Sequence, residues 1–147
     1  MNTALKLRQS GATAVEFALV LIIFLTFLLG IIDFSRMLFT WNAANEATRL
    51  GARYAVVCDD TGNSAQVLLK MKAILPQIQT INLDWIPVGC TPATCEGVTL
   101  TITNLDYQWI SPIAGIAKLS VIRMPSFSTF LTREIMRQDP NSGTICS

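Results

Sequence analysis

Between Ala12 and Ile32 every position is apolar or small except Thr13, Glu16, Thr26 and Gly30. These 21 positions, wound as a helix rising about 1.5 Å per residue, cover about 31 Å, the thickness of a bilayer's hydrocarbon core. The pattern predicts a membrane-spanning helix. A cleaved secretory signal has a shorter apolar region closed by a small-x-small site. The run Leu29-Gly30-Ile31-Ile32-Asp33-Phe34-Ser35 offers no such site, so the helix is expected to stay attached.

Helical periodicity continues past the apolar run through Phe34, Leu38 and Trp41, and between Asp33 and Val57 the one Gly or Pro is Gly51. A continuous helix from Ala12 to Val57 would be about 69 Å long. Asp33 and Arg36, three apart, can pair. Ala43, Ala47, Gly51 and Ala55 recur every fourth residue, a strip of small side chains that admits a close neighbour. The expected neighbour is the chain's own domain, with a subunit contact as the alternative. Trp41 lies well beyond the apolar run, which favours packing in a core over an interfacial anchor.

Cys58-Asp59-Asp60-Thr61-Gly62-Asn63-Ser64 is a turn cluster that ends the long helix. Ser64 can cap a second helix to about Leu75, with Val67, Leu68, Met71, Ile74 and Leu75 on one face and Pro76 at its end. Ile81 to Val88 reads as a strand. After the loop Gly89 to Gly97, Val98, Leu100 and Ile102 alternate with Thr99, Thr101 and Thr103, a half-buried strand extending towards Trp109. Ser111 to Leu119 reads as a connection with a short helical turn, and a last strand lies around Ser126 to Ile135. The tail Gln138 to Thr144 is turn-rich. The fold class is therefore α+β: a long helix, a second helix and about three antiparallel strands.

Composition narrows the function. The net charge is +1 without a basic tract, which argues against nucleic acid as a partner. The absence of histidine removes Ser/His/Asp and Cys/His catalysis and every His-containing zinc site. Asp59 and Asp60, beside Gly62 and Asn63, look like turn residues rather than paired catalytic acids or a calcium loop. The chain is read as a non-enzyme without a metal or cofactor. Cys58, Cys90, Cys95 and Cys146 all follow the span, an even number in the part that a cytoplasmic N-terminus would send to an oxidising space. Spacing alone does not choose among the three pairings of four cysteines. The favoured pair of bridges joins Cys90 to Cys95, closing a tight loop, and Cys58 to Cys146, fastening the tail. The irregular spacing speaks against a four-cysteine zinc site.

Glu16 is the one acid inside the apolar run. A charge in hydrocarbon costs about 2.5–3.5 kcal/mol on insertion scales, so it calls for a partner or for solvation at headgroup depth. If the chain were cut after Gly11, Ala12 would carry a free amine with a reference pKa of about 7.7–8.0. Glu16 would then stand four residues along the same helix face. Both the paired and the solvated readings of Glu16 remain open at this level.

The run Arg8-Gln9-Ser10-Gly11-Ala12-Thr13-Ala14-Val15-Glu16-Phe17-Ala18, followed by the span and by Asn45-Glu46-Ala47-Thr48-Arg49-Leu50-Gly51-Ala52-Arg53-Tyr54-Ala55, resembles the TadE-like minor pilins, or pseudopilins, of the tight-adherence (Tad/Flp) branch of type IV pilus machinery. The resemblance implies a pilin-like fold. It implies a basic leader, residues 1–11, removed by prepilin peptidase between Gly11 and Ala12, so that Glu16 becomes the fifth residue of the remaining chain. It also implies a transmembrane helix over 12–32 and an exported, periplasmic α+β domain over 33–147 that includes the helix continuation 33–57. In the family the glutamate matters for processing or subunit assembly. Phe17 follows it here, where major Flp pilins have Tyr. Those pilins are also much shorter, which favours a minor subunit. The implied partners are the peptidase, other minor or major pilins, the inner-membrane assembly platform and membrane lipid. The competing reading is an uncleaved, single-pass anchored binding or scaffold domain.

Overall fold

The computed structural model describes residues 3–58, 64–91, 94–111, 121–133 and 146. The first element is α1 (Thr3–Val57), 55 residues of uninterrupted helix. Its start lies upstream of Ala12, so the stretch expected as a leader is helical from Thr3. The apolar part of α1 is long and apolar enough to cross a membrane, and none of it is buried in the chain. A second helix, α2 (Ser64–Ile74), ends one residue before the expected Leu75. Among the described residues five strands follow: β1 (Thr80–Ile86), β2 (Gly97–Thr103), β3 (Asp106–Gln108), β4 (Val121–Arg123) and β5 (Phe127–Thr132).

The α+β class stands, with five strands among the described residues in place of about three. β2 is the centre of an antiparallel sheet between β1 and β5, while β3 and β4 pair separately. The expected strand from Val98 to Trp109 is two strands. It breaks at Asn104, whose φ of 57° is left-handed. Asparagine tolerates that conformation better than most residues. Leu105 follows, its carbonyl accepting the Met124 amide at 2.8 Å, and β3 leaves the main sheet to pair with β4. β4 is three residues long, too short to show a period in the sequence.

Contacts divide the chain into two units. The first comprises Met1–Arg36 and Trp109–Ser120, the second Met37–Gln108 and Val121–Ser147. The second holds the core. Val98, Leu100 and Ile102 on β2 are buried, and Thr99, Thr101 and Thr103 are half-buried, as the alternation dictates. Val67 and Met71 of α2, Leu75 and Ile78 close the same core, but Ile74 is exposed. Trp41 is also more open than expected, 42 % exposed, with its ring edge-on to Phe127 at 5.0 Å.

The small-residue strip is buried in the chain's own fold. Ala47 and Ala55 are fully buried, Ala43 nearly so. A Cβ built on Gly51 would lie 2.6 Å from Met71 Sδ and 2.8 Å from Leu100 Cδ1. The missing side chain is therefore what admits α2 and β2 to this part of α1. One turn earlier the hydroxyls of Thr48 and Thr129 meet at 2.8 Å, tying α1 to β5.

Gly97 is a second place where space decides the residue. A Cβ there would stand 2.8 Å from the Leu131 carbonyl oxygen and 2.8 Å from Phe130 Cε2. Backbone in the facing strand cannot yield without disturbing the register, so Gly97→Ala is expected to cost about 1–3 kcal/mol. Urea unfolding of the full chain in detergent measures it. Gly11→Ala is the comparison, since nothing lies within 4 Å of a Cβ there.

Candidate functional site

The region around Glu16 is helical and exposed, and among the described residues no other element covers it. Gly11, Ala12, Glu16 and Phe17 all lie on α1 and are all exposed. Phe17 is 69 % exposed. Glu16 is a carboxylate on a surface otherwise formed by Val15, Phe17, Leu19 and Val20. The helix places Ala12 one turn before it on the same face. The geometry therefore sets a terminal amine within reach of Glu16 if the chain begins at Ala12. It also leaves the apolar residues that follow free to meet lipid or another helix.

Asp33 is the next acid along the chain and has the opposite environment. It is 1 % exposed, and its two oxygens accept hydrogen bonds from the backbone amides of Ile110 at 3.1 Å and Ser111 at 2.9 Å. Arg36 approaches at 3.8 Å, the pairing its spacing allows. Amide donors aimed at a carboxylate favour its ionised form and offset the cost of burial. Local spacing points to Arg36 but not to the two main-chain donors, which lie 77 and 78 residues away.

In the second unit the four cysteines form two disulfides, Cys58–Cys146 and Cys90–Cys95. The second closes the loop between β1 and β2, where the Glu96 amide also donates to the Ile86 carbonyl at 2.8 Å. Asp59, Asp60, Gly62 and Asn63 lie outside the described residues, as do the connection after Ser111 and the expected tail Gln138 to Thr144. Among the described residues no three His, Cys, Asp or Glu side chains gather to hold a metal ion. A shallow groove of about 380 Å³ is lined by Leu50, Arg53, Tyr54, Val57 and Lys70, with the Lys70 ammonium 5.5 Å from the centre of the Tyr54 ring.

An exposed acid near the start of a long apolar helix and a strip of small residues further along it lie on the same element, α1. Residues 11–53 match the family model for TadE-like proteins. This TadE-like segment opens on Gly11, takes in Glu16, Phe17, Asp33 and Gly51, and closes on Arg53. The strands and both disulfides fall outside it. No curated protein and no solved structure matches the chain.

Proposed function

We propose that this chain is a minor pilin, or pseudopilin, of a Tad/Flp-type pilus, cut by prepilin peptidase between Gly11 and Ala12. Residues 12–32 anchor it in the inner membrane with the N-terminus cytoplasmic, and residues 33–147 form an exported periplasmic domain. Its work is assembly and it catalyses nothing. The observation that carries this reading is the position of Glu16: exposed on α1, one helical turn after Ala12, inside a segment that matches TadE-like proteins.

Mechanistically, the cut turns Ala12 into a cation at the head of the apolar helix. Its amine can then neutralise Glu16 of the same chain or of a neighbouring subunit, which lowers the cost of moving either charge through hydrocarbon. A carboxylate that must find an amine fixes the register of one apolar helix against another. Such helices otherwise slide with little preference, because lipid tails and leucine side chains are equally apolar. Phe17 and the residues after it supply that packing surface. Other pilins, the inner-membrane platform and lipid are the expected partners.

Intact mass and N-terminal sequencing of the membrane-extracted protein, from cells with and without active prepilin peptidase, test the reading. A start at Ala12 only with active peptidase is expected. Gly11→Ala is expected to abolish the cut without loss of fold, since an added methyl meets nothing there and alanine favours helix over glycine by about 1 kcal/mol. Glu16→Gln is expected to leave the fold intact while impairing assembly. A chain that keeps its leader in both strains would replace the pilin reading with an uncleaved anchored domain.

A further inference from the structure

Asp33 is the first charged residue after Glu16 and directly follows the apolar run that ends at Ile32. The Ile110 and Ser111 amides that it accepts belong to the same compact unit as the apolar part of α1. The carboxylate thus holds a second piece of chain at the point where the apolar helix ends. The side chains presented there have a common character. Ile110 is 69 % exposed although its own amide is tied down, and Ile31, Ile32 and Phe34 on α1 are exposed as well. Trp109, half-buried with its indole nitrogen enclosed, adjoins Ile110, and Arg36, partly exposed, stands beside Asp33. Tryptophan, arginine and exposed aliphatic residues at the end of an apolar helix are the residues that settle where hydrocarbon meets lipid headgroups.

We propose that Trp109 and Ile110 form a second membrane contact, inserted at headgroup depth and latched to the end of the transmembrane helix by Asp33. The inference rests on the reading that α1 crosses the bilayer. The occupant is lipid. The apolar surface of Ile110 is continuous in kind with that of Ile31, Ile32 and Phe34, which the same bilayer would cover. The latch explains why an acid at this boundary is buried rather than solvated. Its two oxygens satisfy two amides that lie outside any strand, so neither amide reaches the membrane surface unpaired.

The test uses the full chain in vesicles of phosphatidylcholine and phosphatidylglycerol with acyl chains brominated at shallow or deep positions. With Trp41→Phe and Trp85→Phe, Trp109 is the sole emitter. Its fluorescence is expected to be quenched more by shallow bromine than by deep. Adding Trp109→Phe and Phe24→Trp gives a reporter inside the span, expected to respond most to deep bromine. Asp33→Asn, close in shape but unable to accept both amides as a carboxylate does, is expected to lower the inserted fraction of Trp109 about tenfold. Circular dichroism and intact disulfides verify the fold of each variant. Quenching of the Phe24→Trp reporter without quenching of Trp109 would overturn the proposal and leave the membrane-spanning reading intact. Silence from both reporters would overturn both. Unchanged Trp109 quenching in Asp33→Asn would overturn the latch.

Discussion

Replacing Cys58 and Cys146 together with serine is expected to lower the stability of the full chain by about 4 kcal/mol, because this bridge closes most of the sequence into one loop. Its cysteines are 88 residues apart, against 5 for Cys90 and Cys95. Loop-closure entropy grows with the logarithm of loop length, so removing the short bridge should cost only about 2 kcal/mol. With a urea dependence of about 2 kcal/mol per molar, the two losses lower the unfolding midpoint by about 2 M and 1 M. Urea titration of the detergent-solubilised protein, followed by circular dichroism, reads both. The order matters more than the values. A larger loss from the short bridge would show that the β1–β2 loop, rather than the fastening of residue 146 to the end of α1, holds the domain together.

The second large effect is expected in the contact among α1, α2 and β2. Leu100→Ala removes a fully buried side chain from the central strand and should cost about 2–5 kcal/mol, through lost burial and the cavity left behind. Gly51→Ala is expected to cost less. The methyl would press on the Met71 thioether and on Leu100 Cδ1, and Met71 is fully buried with little space to retreat. Overpacking of this kind costs about 1–3 kcal/mol, offset by about 1 kcal/mol from the better helix propensity of alanine. The informative variant is the double one. With Leu100 shortened, the new methyl enters space that Leu100 vacated, so the two losses should fall short of their sum by about 0.5–1.5 kcal/mol. Additive losses would mean that Gly51 and Leu100 do not share one packing site. Urea unfolding of the wild type, both single variants and the double variant closes the cycle.

Surface pairs are expected to matter far less. Arg49–Glu46 at 3.9 Å and Arg123–Asp106 at 3.5 Å are solvent-exposed. Pairs of this kind contribute about 0–1 kcal/mol each. The stability of the second unit is set by Val98, Leu100, Ile102, Met71 and the small strip of α1, together with the disulfides.

The helices and the central strand were legible because their signals are local. The apolar run of 12–32 and the continuing period to Val57 specify α1. The spacing of Val67 and Met71 specifies α2, and the alternation from Val98 to Ile102 specifies β2. Where the reading missed, a distant contact outweighed the local pattern. Trp41 looks like a core residue by its position, yet the neighbour it finds is Phe127, which covers only part of it. Ile74 shares the helical period of Met71 but lies at the end of α2, where the face turns outward, and Ile78 takes the buried place beyond Pro76. Asn104 carries a turn signal inside an alternating run. Only the pairing of β3 with β4 reveals that the signal breaks the strand.

By itself, then, the sequence determined a long helix with an apolar first half, an acid at Glu16, a strip of small residues and an α+β class. Each is written in residue type and spacing within a few turns of chain. The tertiary structure decided the occupant of that strip, the break after Thr103, the partners of the cysteines and the burial of Asp33. These depend on groups brought together from distant parts of the chain. In the case of Asp33 they include two backbone amides, a group that every residue other than proline possesses and no side-chain pattern can mark.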